Sequence, residues 1–107
     1  MIIDHRTYTL KPGALNDYVK LYEAEGFAHQ RRHLGDPVGW YTSMDIGELN
    51  QIVHLWAYAD LADRAARRAG LLADPAWLAF TQKAAPMILH MRNKILSPAA
   101  FLADARP

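Results

Sequence analysis

The stretch from Asn50 to Ala59 is apolar at both alternating sets of positions, and this pattern limits the possible folds more than any other feature. In a strand, successive side chains point to opposite faces of the sheet. One set comprises Ile52, His54, Trp56 and Tyr58, and the other comprises Val53, Leu55 and Ala57. A sheet with two apolar faces needs a cover on each side. The fold must therefore provide two covers for one small sheet.

The other segments predict an α+β fold with the element order β-α-β-β-α-β. Alternating β-branched and aromatic residues indicate strands, and apolar residues three and four positions apart indicate helices. The predicted strands are 2–10, 38–46, 50–59 and 87–96, and the predicted helices are 14–33, 61–72 and one that restarts at 74–75. This order is typical of a ferredoxin-like fold, a four-stranded antiparallel sheet with helices on one face. The helices provide one cover, and we predict that a second subunit's sheet provides the other.

Three local signals indicate where these helices begin or are weakened. Gly26 lies on the apolar stripe of the first helix and should weaken or bend it. Asp60 is placed to cap the helix that follows it. Asp74-Pro75 predicts a second start, with Asp as the cap and Pro at the first helical position. We expect one domain over 2–98 and a tail over 99–107.

Composition excludes several classes of function. The 107 residues include no cysteine, which excludes disulfides, thiolate metal sites and thiol nucleophiles. The net charge is +1, so nucleic acid is not an expected partner. The uncharged runs are far shorter than the roughly 20 apolar residues that span a bilayer. The charged start of the chain has no signal-peptide form, so we expect a cytoplasmic protein without a membrane partner.

Four charged or titratable residues fall in the middle of predicted strands, and they are the candidate catalytic groups: Arg6, His54, His90 and Arg92. Such groups cost several kcal/mol on a covered sheet unless they are paired or face a wet cavity. We predict a pocket between the sheet and the helices, lined by Tyr8, Trp40, Trp56 and Tyr58. There a histidine would act as general base, and an arginine would hold a carboxylate or an enolate oxygen.

A structural interpretation competes with this one. Arg6 and Arg92 would then pair with carboxylates such as Asp4 or Asp45, and the histidines would form hydrogen bonds inside a dimer core.

A possible metal site is formed by Glu25, His29 and His33, whose spacing could place three metal ligands on one helix stripe. However, the pair of histidines lies beside Arg31 and Arg32 near the C-terminus of the helix, where cationic or dipolar side chains interact favourably with the helix dipole. We therefore expect no metal.

The charged face of the predicted helix 61–72 also has two interpretations. Asp63 and Arg67 are four residues apart and predict an ion pair. Arg64 and Arg68 lie on the same helix. We expect a solvated face, with a salt-bridged rim across the dimer as the alternative.

Several ordered motifs together resemble the NIPSNAP family over residues 2 to about 98. They are Arg6–Gly13, Val38–Trp40, Ile46–Tyr58, Asp63-Arg64, Arg67-Arg68 and Asp74–Trp77. The resemblance implies a dimeric α+β barrel, in which two sheets pack face to face. It implies no firm reaction, because the wider superfamily includes cofactor-free oxygenases of aromatic substrates, isomerases and haem proteins.

Three hypotheses for function follow. The leading one is a homodimer that binds a small organic, aromatic ligand between the sheet and the helices, without a cofactor. The second is a cofactor-independent monooxygenase or isomerase of an aromatic or lactone-like substrate. The third is a structural or interaction module with a filled interior. An empty cavity of a few hundred Å³ that holds a histidine and an arginine would favour the first two, and a filled interior the third.

Overall fold

The computed structural model describes residues 1–105 and has the predicted α+β architecture. The strands are β1 (Ile2–Leu10), β2 (Gly39–Ser43), β3 (Gln51–Tyr58) and β4 (Ile88–Leu96). The helices are α1 (Leu15–Leu21), α2 (Phe27–Leu34), α3 (Leu61–Leu72) and α4 (Pro75–Ala84). Short 3-10 helices cover Ala85–Met87 and Ala100–Ala105. The last two residues of the predicted tail lie outside the described part of the chain.

All neighbouring strands in the sheet run antiparallel, in the order β2-β3-β1-β4. This is the ferredoxin-like order, with the first and third strands in the centre. The helices pack on one face of the sheet, which we call the helix face, and the opposite face is called the open face. The buried apolar core lies between the helix face and the four helices.

The predicted first helix is interrupted at the position where Gly26 was expected to weaken it. A π-helical segment, Tyr22–Gly26, separates α1 from α2. The two other helix starts are as predicted. The side chain of Asp60 accepts a hydrogen bond from the Asp63 N–H at 2.8 Å, and Asp74 accepts one from the Ala76 N–H at 2.9 Å.

The hairpin strands are shorter than predicted. Pairing between β2 and β3 ends at Ser43 and Gln51, so the predicted strand ends on either side belong to a loop. Met44, Ile46 and Leu49 in this loop are exposed. Gly47 and Asn50 both have positive φ, which an extended strand does not allow.

The edge strand β4 contains an irregularity that sequence alternation could not reveal. The register with β1 shifts between Thr9 and Leu10, so that Leu10 faces Ile88 while Tyr8 faces Met91. Strict alternation along β4 would place Ile88 and Met91 on opposite faces, but the two border the same cavity on the helix face. A bulge of this kind adds one residue to a strand and shifts the faces beyond it.

Across the described residues, no helix combines the length and the apolar character that a membrane crossing requires. On the open face, Tyr41 and Leu96 are exposed, and Val53, Leu55 and Ala57 are partly exposed. The apolar pattern on both faces of β3 therefore leaves apolar surface uncovered in a single chain.

Candidate functional site

Strand register brings most of the predicted site residues to the helix face. Arg6 lies opposite His54, and Asp4 lies opposite Trp56, across the two central strands. Trp40 of β2 lies on the other side of His54. Because side chains directly opposite one another in a sheet point to the same face, these residues form one continuous patch beneath the helices.

A cavity of about 130 Å³ lies above this patch. Aromatic rings from the sheet and from the helices line it: Tyr8, Tyr18, Tyr22, Trp40, Trp77 and Phe80. Gln30 and His54 add polar groups to the lining, and the half-exposed Met91 lies at its edge. The cavity is smaller than the few hundred Å³ typical of drug-sized ligands.

His54 is the most unusual polar group of this cavity. The indole Nε1–H of Trp56 donates a hydrogen bond to His54 Nδ1 at 2.7 Å. An accepting Nδ1 carries no proton, so the neutral ring holds its proton on Nε2. That Nε2 is buried and has no hydrogen-bond partner within the described residues.

The surroundings of His54 also fix its charge. Burial, followed by the nearby positive charge of Arg6, lowers the pKa of His54 to about 3. The imidazole is therefore neutral at physiological pH, and its unpaired N–H belongs to a residue that lines the cavity. This differs from the general-base role predicted from an ordinary histidine, because the accepting nitrogen already has a partner.

The wall opposite His54 is built by the interrupted helix. Tyr22 stacks on Trp40, with ring centroids 4.8 Å apart and planes 13° apart. The Tyr22 hydroxyl donates to Gln30 Oε1 at 2.5 Å. Burial raises the pKa of Tyr22, so this phenol stays protonated. Trp40 Nε1 is a second buried donor that lacks a hydrogen bond of normal geometry among the described residues.

Arg6 reaches the cavity only through Tyr8. Its Nε donates to the Tyr8 hydroxyl at 3.2 Å, and its Nη1 contacts Asp4 Oδ2 at 3.2 Å. The ion pair with Asp4 is the pairing that the structural interpretation predicted for this arginine. Burial alone would raise the pKa of Asp4, but the Asn93 hydrogen bond and the charges of Arg6 and Arg64 hold it below its usual value.

The structure divides the predicted site residues into four groups. Tyr8, Trp40 and His54 line the cavity, while Trp56 and Tyr58 are buried beside it on the same face. Arg6 is not among the lining residues, but it forms a hydrogen bond with Tyr8, which is. His90 and Arg92 pair with Thr9 and Thr7, which places them on the open face, and both are exposed. These last two residues do not belong to the pocket in which they were predicted, because strand alternation alone does not say which face carries the helices.

The metal-spaced stripe on the first helix is occupied by other contacts. Glu25 pairs with Lys83 at 2.6 Å, and His33 Nε2 contacts Asp74 Oδ2 at 2.9 Å. His29 Nδ1 lies 3.2 Å from Arg32 Nη2. Among the residues that can be described, no three potential ligands form a metal-binding group.

The helical residues that line the cavity could be recognised only in part from the sequence. Tyr18, Tyr22, Trp77 and Phe80 lie at helical spacing, which predicts burial but not a cavity. Gln30 follows Tyr22 and Gly26 at four-residue intervals, so it lies on the same buried helix stripe. A polar residue on an otherwise apolar helix stripe is the sequence feature that could have indicated Gln30 as a lining residue.

Comparison with known proteins agrees with this fold. A NIPSNAP family protein of unknown function from Agrobacterium tumefaciens is 50% identical, with a TM-score of 0.90 over 94% of this chain and 90% of that one. An antibiotic biosynthesis monooxygenase structure, 14% identical, has a TM-score of 0.63 over 92% of this chain and 99% of that one. At that identity, the likeness shows the fold alone.

Curated relatives lead to the same family. The NipSnap homolog of Dictyostelium discoideum is 37% identical over 87% of this chain and 40% of its own length. The chain spans between 18% and 40% of the curated relatives that it matches. The NIPSNAP family model itself matches residues 3–103. The ordered motifs, the strand order and these matches agree: the chain belongs to the NIPSNAP family.

Proposed function

We propose that this protein binds a small, flat aromatic molecule that carries one hydrogen-bond-accepting oxygen, in the cavity between the sheet and the helices. The walls support an aromatic guest. Six aromatic rings border the cavity, and offset or edge-on ring contacts contribute roughly 0.5–1.5 kcal/mol each beyond area burial. The volume supports a small guest, because an apolar cavity of about 150 Å³ accommodates benzene in another protein.

The single observation that carries the proposal is the unpaired Nε2–H of His54. A buried donor without an acceptor costs about 1–3 kcal/mol, and a ligand oxygen in the cavity would recover much of that cost. The hydrogen bond from Trp56 fixes the tautomer, so the donor is held ready before any ligand arrives. Trp40 Nε1 offers a second donor at the same cavity, which also favours an oxygen-bearing guest over a hydrocarbon.

The second hypothesis, a cofactor-independent monooxygenase or isomerase, would use the same cavity but would need a base there. His54 is a poor base, because its accepting nitrogen is bonded to Trp56 and its pKa is low. The remaining candidate is the Tyr8 hydroxyl, which is bonded to Arg6. The cavity holds His54, but it is smaller than predicted and its described lining contains no arginine. Its open volume still argues against the third hypothesis, a module with a filled interior.

Phenol and toluene form a matched pair of probes for the binding proposal, since phenol carries a hydroxyl where toluene carries a methyl group. We expect His54→Leu to weaken phenol binding about tenfold, the equivalent of one hydrogen bond to a buried donor. Toluene binding should change little, because toluene makes no hydrogen bond. Isothermal titration calorimetry measures both affinities.

His90→Leu is the control variant, because it makes the same substitution on the open face. It should leave the affinity for phenol unchanged, and circular dichroism checks that both variants fold. Equal losses for phenol and toluene in His54→Leu, or an equal loss of phenol binding in His90→Leu, would overturn the proposal. The same samples, incubated with phenol and oxygen, test for turnover, and turnover would favour the enzymatic hypothesis instead.

A further inference from the structure

Two arginines bind one buried carboxylate where β1 meets α3. Asp4 is 0% exposed, and its Oδ2 accepts from Arg6 Nη1 at 3.2 Å and from Arg64 Nε at 3.0 Å. Its Oδ1 accepts from Asn93 Nδ2 at 3.0 Å. Both oxygens of Asp4 are thus occupied, and the carboxylate holds two guanidinium groups in fixed positions.

Arg68 adds a positive charge that this carboxylate does not balance. It follows Arg64 by four residues on α3, so both side chains lie on the same side of the helix. Arg68 is only partly exposed, and among the side chains described for residues 1–102 no carboxylate pairs with it. Burial and the charges of Arg6 and Arg64 lower the pKa of Arg68, as expected for a cation among cations.

The hydroxyl of Tyr58 is a second, independent sign that a partner is missing. Tyr58 is 2% exposed, and its hydroxyl oxygen is buried without a hydrogen-bond partner in the described part of the chain. It ends β3 on the helix face, below the helix that carries Arg64 and Arg68. Buried hydroxyls in proteins are normally paired, so an unpaired one calls for an explanation.

We propose that Arg6, Arg64, Arg68 and the Tyr58 hydroxyl form a binding site for a small oxyanion, either a phosphate or a carboxylate. Guanidinium groups bind both anions through paired N–H donors. A bound carboxylate would offset one of the two excess positive charges, and a doubly charged phosphate would offset both. The side chains of Arg6 and Arg64 are 13% and 24% exposed, so the site is within reach of solvent. This site is separate from the aromatic cavity, whose described lining contains no arginine.

The test measures binding of sodium phosphate and of sodium acetate by calorimetry, in chloride buffer at constant ionic strength. We expect at least one of the two anions to bind the wild type. Arg68→Gln should weaken that binding about tenfold, since it removes one charge-assisted contact. Arg31→Gln is the control, because Arg31 lies on α2, pairs with Asp36 at 2.5 Å and contacts none of the site residues among the described contacts; this variant should bind the anion as the wild type does.

Thermal unfolding without either anion separates a binding role from a structural one. Arg68→Gln should melt at the same temperature as the wild type or higher, because it relieves repulsion among the arginines. Tyr58→Phe should likewise fold normally and bind the anion more weakly, since it removes a hydroxyl that has no partner in the structure. Preference for phosphate or for acetate identifies the anion class. Failure of both anions to bind the wild type, or an equal loss in Arg31→Gln, would overturn the proposal.

Discussion

At the scale of single residues, His54 is kept neutral by its surroundings, and this makes stability depend on pH. Its pKa is about 3 in the folded protein, because burial and Arg6 both disfavour the imidazolium, against an ordinary value of 6.5. Between these values the unfolded chain binds a proton that the folded chain does not. The free energy of unfolding therefore falls as the pH falls through this window.

We expect a loss of about 1 kcal/mol per pH unit from His54 alone within that window. Urea unfolding at pH 7 and pH 5 measures the loss, since carboxylates such as Asp4 remain ionised at both values. His54→Gln should reduce the difference between the two pH values, because an amide takes up no proton and can still accept from Trp56. A variant with the wild-type pH dependence would show that His54 titrates normally in the folded protein.

Only some of the cavity residues could be predicted from the sequence, and the reasons are specific to each residue. Tyr8, Trp40 and His54 could be predicted because mid-strand polar and aromatic residues stand out against an apolar alternation. His90 and Arg92 satisfied the same rule, yet they lie on the open face, since the register between β1 and β4 is set by tertiary pairing. The Trp56–His54 hydrogen bond was also beyond prediction, although two residues on the same face of one strand are neighbours.

At the scale of elements, the interrupted first helix shapes the cavity. Gly26 ends the π-helical segment, and both Tyr22 and Phe80 lie against it. A Cβ at position 26 would stand 2.9 Å from Tyr22 Cδ1 and 3.1 Å from Phe80 Cδ1. Both rings line the cavity, so the missing side chain at Gly26 allows the helix to approach α4 without displacing them.

Gly26→Ala should therefore destabilise the protein, even though alanine favours a helix interior by about 1 kcal/mol over glycine. The clash with two rings costs more, roughly 1–3 kcal/mol for an overpacked core. Thermal unfolding measures the difference. Gly70→Ala on α3 is the comparison, because the added Cβ there meets only the ring of His33, at 3.1 Å, and that partly exposed side chain can move. A Gly26→Ala protein as stable as Gly70→Ala would contradict the packing argument.

The order of the elements was predictable because each carries its own periodicity and capping signals, as Asp60 and Asp74-Pro75 illustrate. The π-helical segment and the bulge near Leu10 were not, because both depend on contacts between distant parts of the chain. Gly26 marked the weak point of the helix but could not specify how the backbone would adapt there.

At the scale of the whole molecule, the open face still lacks the cover that the sequence pattern predicts. Helices cover one side of the sheet, and Val53, Leu55 and Ala57 on the other side stay partly exposed in a single chain. Exposed apolar sheet surface of this kind favours association. The apolar residues on both faces of β3 correctly predicted a sheet covered by helices, and they still predict a partner for the other face.

We expect a homodimer through the open face, with twice the 12.1 kDa mass of one chain. Size-exclusion chromatography with light scattering measures that mass at micromolar protein. Leu55→Lys should shift the protein towards the monomer, because it places a charge in the middle of the proposed interface. Leu61→Lys, at an exposed position on α3 away from the sheet, should leave the mass unchanged. A wild-type monomer, or an equal effect of both variants, would refute the dimer.

The central claim is that His54 presents a fixed, unpaired N–H donor to an aromatic cavity, and nitrogen-15 NMR of the imidazole tests it most directly. We predict a neutral ring protonated on Nε2, unchanged between pH 5 and pH 8, whose Nε2–H signal shifts on addition of phenol but not of toluene. A ring protonated on Nδ1, a titration near pH 6.5, or equal responses to phenol and toluene would contradict the claim.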